Sequence, residues 1–188
     1  MLGSLIVARM SVHPDDREAS DRYYTGLRPH LEKVEGFRGV AVYGHVRFPE
    51  EHLALYGYTD TQAADRGLEA LADYRFHSET VSKASVPNVI RLEVLGRVGQ
   101  NILAAPKDSF LSMSLRVANP GYSDELAQDL DRIFNEISMI DGFLGAEYGC
   151  NDTLPDELVG LAAWRGAESF QASVPEGTIY DVRLYRRL

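Results

Sequence analysis

The stretch "EGFRG" at residues 35–39 returns as "DGFLG" at residues 141–145, an interval of 106 in a chain of 188 residues. Such a repeat restricts the fold more than any other feature, because two copies of one unit must each fold in the same way. Sliding the chain against itself by that interval sets Tyr24, Leu27, Leu31 and Val34 on Leu130, Ile133, Ile137 and Ile140. Both sets have the spacing of one helix face. Upstream, "LIVARMSVHPDD" answers "SMSLRVANPGYSDE": a strand in which Arg9 is set against Arg116, then a proline turn into the helix. Downstream, "AVYGH" answers "AEYGC", and "LALYGYTD" answers "VGLAAWRG" with Tyr58 falling on Trp164. Each half closes on a strand carrying Arg-Leu, "VIRLEVL" and "YDVRLYRRL".

Each half therefore reads strand, helix, strand, strand, helix, strand, which predicts an α+β chain of two tandem ferredoxin-like units. Gly36 and Gly142 are expected just past a helix, where a left-handed residue closes the last turn and lets Phe37 and Phe143 tuck under its end. A four-stranded sheet with both helices on one side leaves its other face apolar, and two fused copies can cover each other. The expectation is that the two sheets pack as an intramolecular pseudo-dimer, with Ile6, Ala8 and Met10 meeting Met113, Leu115 and Val117. The boundaries follow: residues 1–95 form the first unit, the Gly- and Pro-containing stretch 96–108 a linker, and residues 109–188 the second. Tyr58 to Arg91 spans 33 residues but Trp164 to Arg183 only 19, so the second unit is expected to have a shortened second helix of about two turns.

Composition narrows function by exclusion. With 45% hydrophobic and 25% charged residues this is ordinary globular material. A net charge of -9 argues against nucleic acid, which needs a basic face. The single Cys150 can form neither an internal disulfide nor a multi-thiolate metal site, and a cytoplasmic location is expected. The N-terminal apolar run alternates into Arg9 without a basic leader, so it is expected to be a strand rather than a signal peptide. No Gly-rich phosphate loop, metal-spaced histidine pair or nucleophile elbow is present, so neither a nucleotide cofactor nor a catalytic metal is indicated.

The GFxG repeat, the strand after it, and an aromatic on the third strand followed by an acidic helix start together resemble the antibiotic-biosynthesis monooxygenase family of dimeric α/β barrels, in a tandem single-chain form. The resemblance spans nearly the whole chain in two passes. It implies one of several activities: cofactor-independent oxidation of phenolic polyketides, haem degradation, or small-quinone chemistry. The family's third-strand tryptophan is matched by Trp164 and replaced by Tyr58 in the first half. The asparagine four residues earlier in the polyketide-oxidising branch is replaced by Gly160 and Ala54. Leu68 and Val174 stand where the haem-degrading branch has its histidine, and His77 falls nine residues later. The resemblance thus implies a monooxygenase or related tailoring enzyme for an aromatic phenolic metabolite, with O₂ and a small aromatic substrate as partners and no cofactor. The alternative is a non-catalytic ligand-binding or assembly module.

An electron-rich phenol, once deprotonated, can react with O₂ directly, so the protein need supply only an apolar pocket, a base and a donor for the developing oxyanion. Alternation along the strands groups His52, Ala54, Tyr56 and Tyr58, and likewise Tyr43 and His45 on the neighbouring strand. These, with His77 and Arg9, make the first half the richer in acid-base groups. Tyr58, His45 and Trp164 are the catalytic candidates; Tyr43, Tyr56, His52, His77 and Arg9 are candidates for substrate binding. Each has a purely structural alternative: Tyr58 and Trp164 as core aromatics, His45 and His77 as solvated histidines, Arg9 and Arg116 as ion-pair partners, Cys150 as a small buried hydrophobe. The chain is expected to complete its barrel without a second copy, as a monomer or a weak homodimer.

Overall fold

The computed structural model describes residues 2–76, 87–175, 177 and 182–188. The chain is α+β and divides into two compact units, Met1–Arg91 and Leu92–Leu188. The first unit contains β1 (Ser4–Ser11), α1 (Arg17–Leu31), β2 (Phe37–His45), β3 (Glu51–Tyr58) and α2 (Thr61–Phe76), and β4 (Asn88–Gly99) begins in it. The second contains β5 (Phe110–Val117), α3 (Ser123–Ile137), β6 (Phe143–Asn151), β7 (Leu154–Trp164), α4 (Ala167–Ser173) and β8 (Val182–Arg187). This is the ferredoxin-like order, twice. In the first unit β3 lies between β1 and β2, all antiparallel; in the second the antiparallel order is β8, β5, β7, β6 and then the far end of β4. No helix among the described residues is long and apolar enough to cross a membrane.

The stretch 96–108 is more ordered than a linker. Residues 96–99 complete β4 against β6, and Ile102–Ala104 form a 3-10 turn with Ile102 and Leu103 buried. Arg97 stands opposite Glu147 in that ladder and donates from Nε to its Oε1 at 2.8 Å. Burial pushes the Glu147 carboxyl up, and the Arg97 guanidinium opposes the shift.

The repeated glycines do similar work in both units, though not as helix caps. Helices α1 and α3 end five residues earlier, at Leu31 and Ile137. Gly36 and Gly142 instead occupy the third position of turns closed by Phe37 N–H to Val34 C=O and by Phe143 N–H to Ile140 C=O, both at 3.1 Å. Their φ angles are +89° and +86°, a region that side chains resist. Each glycine carbonyl then accepts from the residue after the third strand, Thr59 N–H at 2.9 Å and Arg165 N–H at 2.7 Å. Phe37 and Phe143, delivered by these turns, meet Tyr58 and Trp164 edge-on at centroid distances of 5.7 and 5.5 Å.

The units differ in their helices. α2 has 16 residues and α4 seven. Asp60 caps α2, its Oδ1 accepting from Ala63 N–H at 2.8 Å; that bond and the Thr59 hydroxyl hold its carboxyl below the ordinary 3.8.

Two outcomes follow. Gly36→Ala and Gly142→Ala each cost about 1–2 kcal/mol in chemical denaturation, from the left-handed backbone alone, and more where the new Cβ meets Thr59 Oγ1 at 2.5 Å or Ser169 Cβ at 2.9 Å. Asp60→Ala lowers Tm at neutral pH. Because the folded-state pKa of Asp60 is depressed, its contribution is present above the unfolded value and lost as pH falls through the folded one. Melting curves of wild type and variant therefore converge below about pH 4.

Candidate functional site

Strand register decides which side chains can share a site. In the first unit β1 pairs with β3 so that Ser4, Ile6, Ala8 and Met10 stand opposite Tyr58, Tyr56, Ala54 and His52. Side chains directly opposite share a face, and this face is the one α1 and α2 cover: Ile6, Ala8, Ala54, Tyr56 and Tyr58 are buried with Leu27, Leu31, Ala63 and Ala64. Ile6, Ala8 and Met10 therefore lie on the helix-covered face, not on the open sheet face where the sequence placed them. On β5 the same face holds Phe110, Ser112, Ser114 and Arg116, opposite Trp164, Ala162, Gly160 and Leu158. Arg116 is thus the counterpart of Met10. Arg9, opposite Leu53, points to the other face, and matching the two arginines slips the register by one residue, which exchanges faces.

The same slip affects β2. A bulge between Phe37 and Gly39 sets Val40, Val42 and Gly44 opposite Tyr56, Ala54 and His52. Tyr43 stands opposite Leu53, on the face away from Tyr56 and Tyr58. Tyr148, its apparent partner in the repeat, stands opposite Gly160 and is the true counterpart of Val42. His45 closes a turn, its Nδ1 accepting from Arg47 N–H at 3.0 Å and Phe48 N–H at 3.2 Å. His52 is buried on the helix-covered face. His77 lies outside the described residues.

Between sheet and helices the first unit holds a cavity of about 240 Å³. Its floor is Ile6, Ala8, Met10 and Tyr56. Ala19, Ser20 and Tyr23 of α1 form one wall and Leu68, Leu71 and Ala72 of α2 another, with Pro87 and Val89 at the start of β4. Small residues at Ala8, Ala19, Ser20 and Ala72 are what leave the space open. Ionisable groups lie among the lining residues at its ends: His13 and Asp16 before α1, Arg75 in the last turn of α2. Of the sequence candidates among the described residues, Tyr56 alone is in this lining. The residues that reasoning missed sit on α1 one turn ahead of the Tyr24–Leu27–Leu31 stripe; the small pair Ala19–Ser20 followed by Tyr23 was the available signal.

Phenols here stay protonated. Burial pushes Tyr56 well above its ordinary 10.0, and Tyr24, Tyr23 and Tyr58 nearby add to the shift. Tyr24 is raised by burial first and then by Tyr23 and Asp21, and its hydroxyl donates to Met10 Sδ at 3.0 Å. Burial raises Tyr58 too. Its hydroxyl is buried without a hydrogen-bond partner, against Gly67, where any Cβ would collide with the ring. These tyrosines can donate hydrogen bonds but cannot act as bases near neutral pH. Leu68, at the position of the haem ligand implied by the resemblance, is an aliphatic wall of the cavity, so the residues present do not fit a haem there.

On the corresponding face of the second unit, a side chain occupies the place that Ala54 leaves open in the first. Phe134 of α3 lies over Gly160, the counterpart of Ala54, and its ring is 5.8 Å from that of Tyr148. Trp164 is fully buried, and its Nε1 donates to Ser112 Oγ at 3.0 Å. Tyr148 donates to Asp131 at 3.0 Å, and its phenol is pushed up to about 12, by burial first and then by that carboxylate. Cys150 is half-buried and its thiol is raised, chiefly by burial.

The two third-strand aromatics therefore respond differently to loss of their polar atom. Trp164→Phe leaves Ser112 without its donor and destabilises by about 1–3 kcal/mol, whereas Tyr58→Phe removes an unsatisfied buried hydroxyl and is neutral or stabilising by about 1 kcal/mol. Urea midpoints of the two variants measure both.

No family model and no curated protein matches the chain. Solved structures do, over its whole length. A candidate monooxygenase from Lactobacillus acidophilus superposes with a TM-score of 0.75 at 14% identity, covering 100% of this chain and 94% of that one. A candidate monooxygenase from Fusobacterium nucleatum gives 0.74 at 12%, covering 100% and 93%. An anthrone oxidase-like protein gives 0.70 at 11%, covering 99% and 92%. This chain therefore shares the fold of these proteins, two ferredoxin-like units in tandem, as the resemblance in its sequence implies.

Proposed function

We propose that the first unit's cavity takes a small hydroxylated aromatic molecule and supports its cofactor-independent oxidation by O₂, a monooxygenase reaction. The observation that carries this reading is the cavity itself: about 240 Å³, largely apolar, walled by protonated phenols, with ionisable groups among its lining residues. A cavity of about 150 Å³ accepts benzene, so this one suits a molecule of one or two rings. An activated ring CH₂ that loses a proton to His13 or Asp16 can pass electrons to O₂. One oxygen atom becomes the new carbonyl and the other leaves as water, so that CH₂ and O₂ give C=O and H₂O. Tyr56 would donate to the oxyanion as it forms. Binding without catalysis is the second reading, favoured by Ala54 at the place of the family's asparagine.

The test is O₂ consumption and thermal shift with 1,4-dihydroxynaphthalene, a two-ring compound whose keto tautomer carries a ring CH₂, no cofactor being added. Oxidase or oxygenase action predicts uptake above the uncatalysed rate and a rise in Tm. Ala8→Leu, which fills the cavity, should abolish both. A rise in Tm without uptake selects the binding module, and the absence of both overturns the cavity as the site.

A further inference from the structure

Ser20 differs from Thr25, Ser138 and Ser173, hydroxyl residues in or beside the helices. Such side chains normally turn back onto a carbonyl of the preceding turn. Thr25, on the same helix, bonds to Asp21 C=O at 2.8 Å; Ser138, just past α3, bonds to Asn135 C=O at 2.7 Å and Ser173 of α4 to Phe170 C=O at 2.7 Å. Ser20 Oγ is buried and has no hydrogen-bond partner, and Ser20 lines the cavity between Ala19 and Tyr23. A buried hydroxyl is both donor and acceptor, and leaving it unmatched is unfavourable. A ligand occupying the space beside it supplies the match.

We infer that Ser20 is the specificity-determining residue of this cavity, hydrogen-bonding one hydroxyl or carbonyl oxygen of a neutral, otherwise apolar ligand. This rests on the cavity being the binding site, and adds which residue sorts its ligands and by what chemistry. Neutrality follows from the surroundings. Apart from His13, Asp16 and Arg75 the walls are largely aliphatic and aromatic, and Tyr56, whose phenol burial keeps protonated, faces the same space. An apolar molecule of equal size would leave Ser20 unmatched and bind less well, whereas an oxygen-bearing one satisfies it.

The experiment compares 2-naphthol with naphthalene by titration calorimetry on the full chain. Wild type should prefer 2-naphthol by about 10-fold, the range of one buried hydrogen bond. Ser20→Ala should bring the two affinities to within about threefold by losing 2-naphthol affinity and gaining naphthalene affinity, and Ser20→Thr, which keeps the hydroxyl, should retain the preference. A preference unchanged in Ser20→Ala overturns the role of Ser20 while leaving the cavity reading intact. Failure of both compounds to bind wild type overturns both readings. Should Ser20→Ala fold poorly, Ser20→Cys, a weak donor of similar size, carries the same comparison.

Discussion

The pairing of β3 with its two neighbours is the constraint on which the rest depends. A strand has only two faces, and the register of Tyr56 against Ile6 and Val40 fixes which residues meet the helices. The turn glycines serve that register. Gly36 accepts from Thr59 and Gly142 from Arg165, so each turn is tied to the end of the third strand and delivers Phe37 or Phe143 onto its last aromatic. A helix set on this face has its depth determined by whichever side chains the register presents. Where they are Ile6, Ala8 and Tyr56, space remains.

The two units show the same frame used in two ways. In the second, Phe134, Tyr148 and Trp164 fill the helix-covered face, and the polar tips of the two larger rings are bonded to Asp131 and Ser112. In the first, alanines and serine leave a cavity, and two buried hydroxyls, those of Ser20 and Tyr58, go unmatched. An empty cavity costs about 24 cal/mol per Å³ of lost packing, and an unsatisfied hydroxyl adds to it. A fold able to close this space in one copy, yet leaving it open in the other, sets stability against use at that place.

The architecture was legible because it rests on features that repeat at a fixed interval: GFxG, the helix stripe, the third-strand aromatic. The order of strands and helices followed from these without reference to any contact; the helix ends did not, since α1 and α3 stop five residues short of Gly36 and Gly142. The site was less legible, for a physical reason. A slip of one residue leaves a strand looking the same in sequence and reverses what it presents, so Arg9 against Arg116, and Tyr43 against Tyr148, matched by letter but not by face. Parity also breaks at the bulge after Phe37, which nothing in "FRGV" announces beyond its glycine. The small pair Ala19–Ser20 could be read in the sequence, but not the part Ser20 plays, since a serine in the first turn of a helix is ordinary until its missing bond is seen.

What the cavity can do depends on where charge can exist within it. Four tyrosines, Tyr23, Tyr24, Tyr56 and Tyr58, are raised by burial, and Tyr56 is raised further by the other three. A phenolate formed deep among them would meet the same penalty whether it belonged to protein or ligand. Arg75 works against that penalty at Tyr23, whose pKa it pulls down while burial raises it, and Arg75 lines the cavity together with His13 and Asp16. In the proposed reaction an acidic ring is therefore best bound neutral on the floor of Ile6, Ala8 and Tyr56, with its proton lost toward the ionisable lining residues. The electrons of any reaction with O₂ would then originate near α1 and the last turn of α2, away from the third-strand aromatic that the sequence first brings forward.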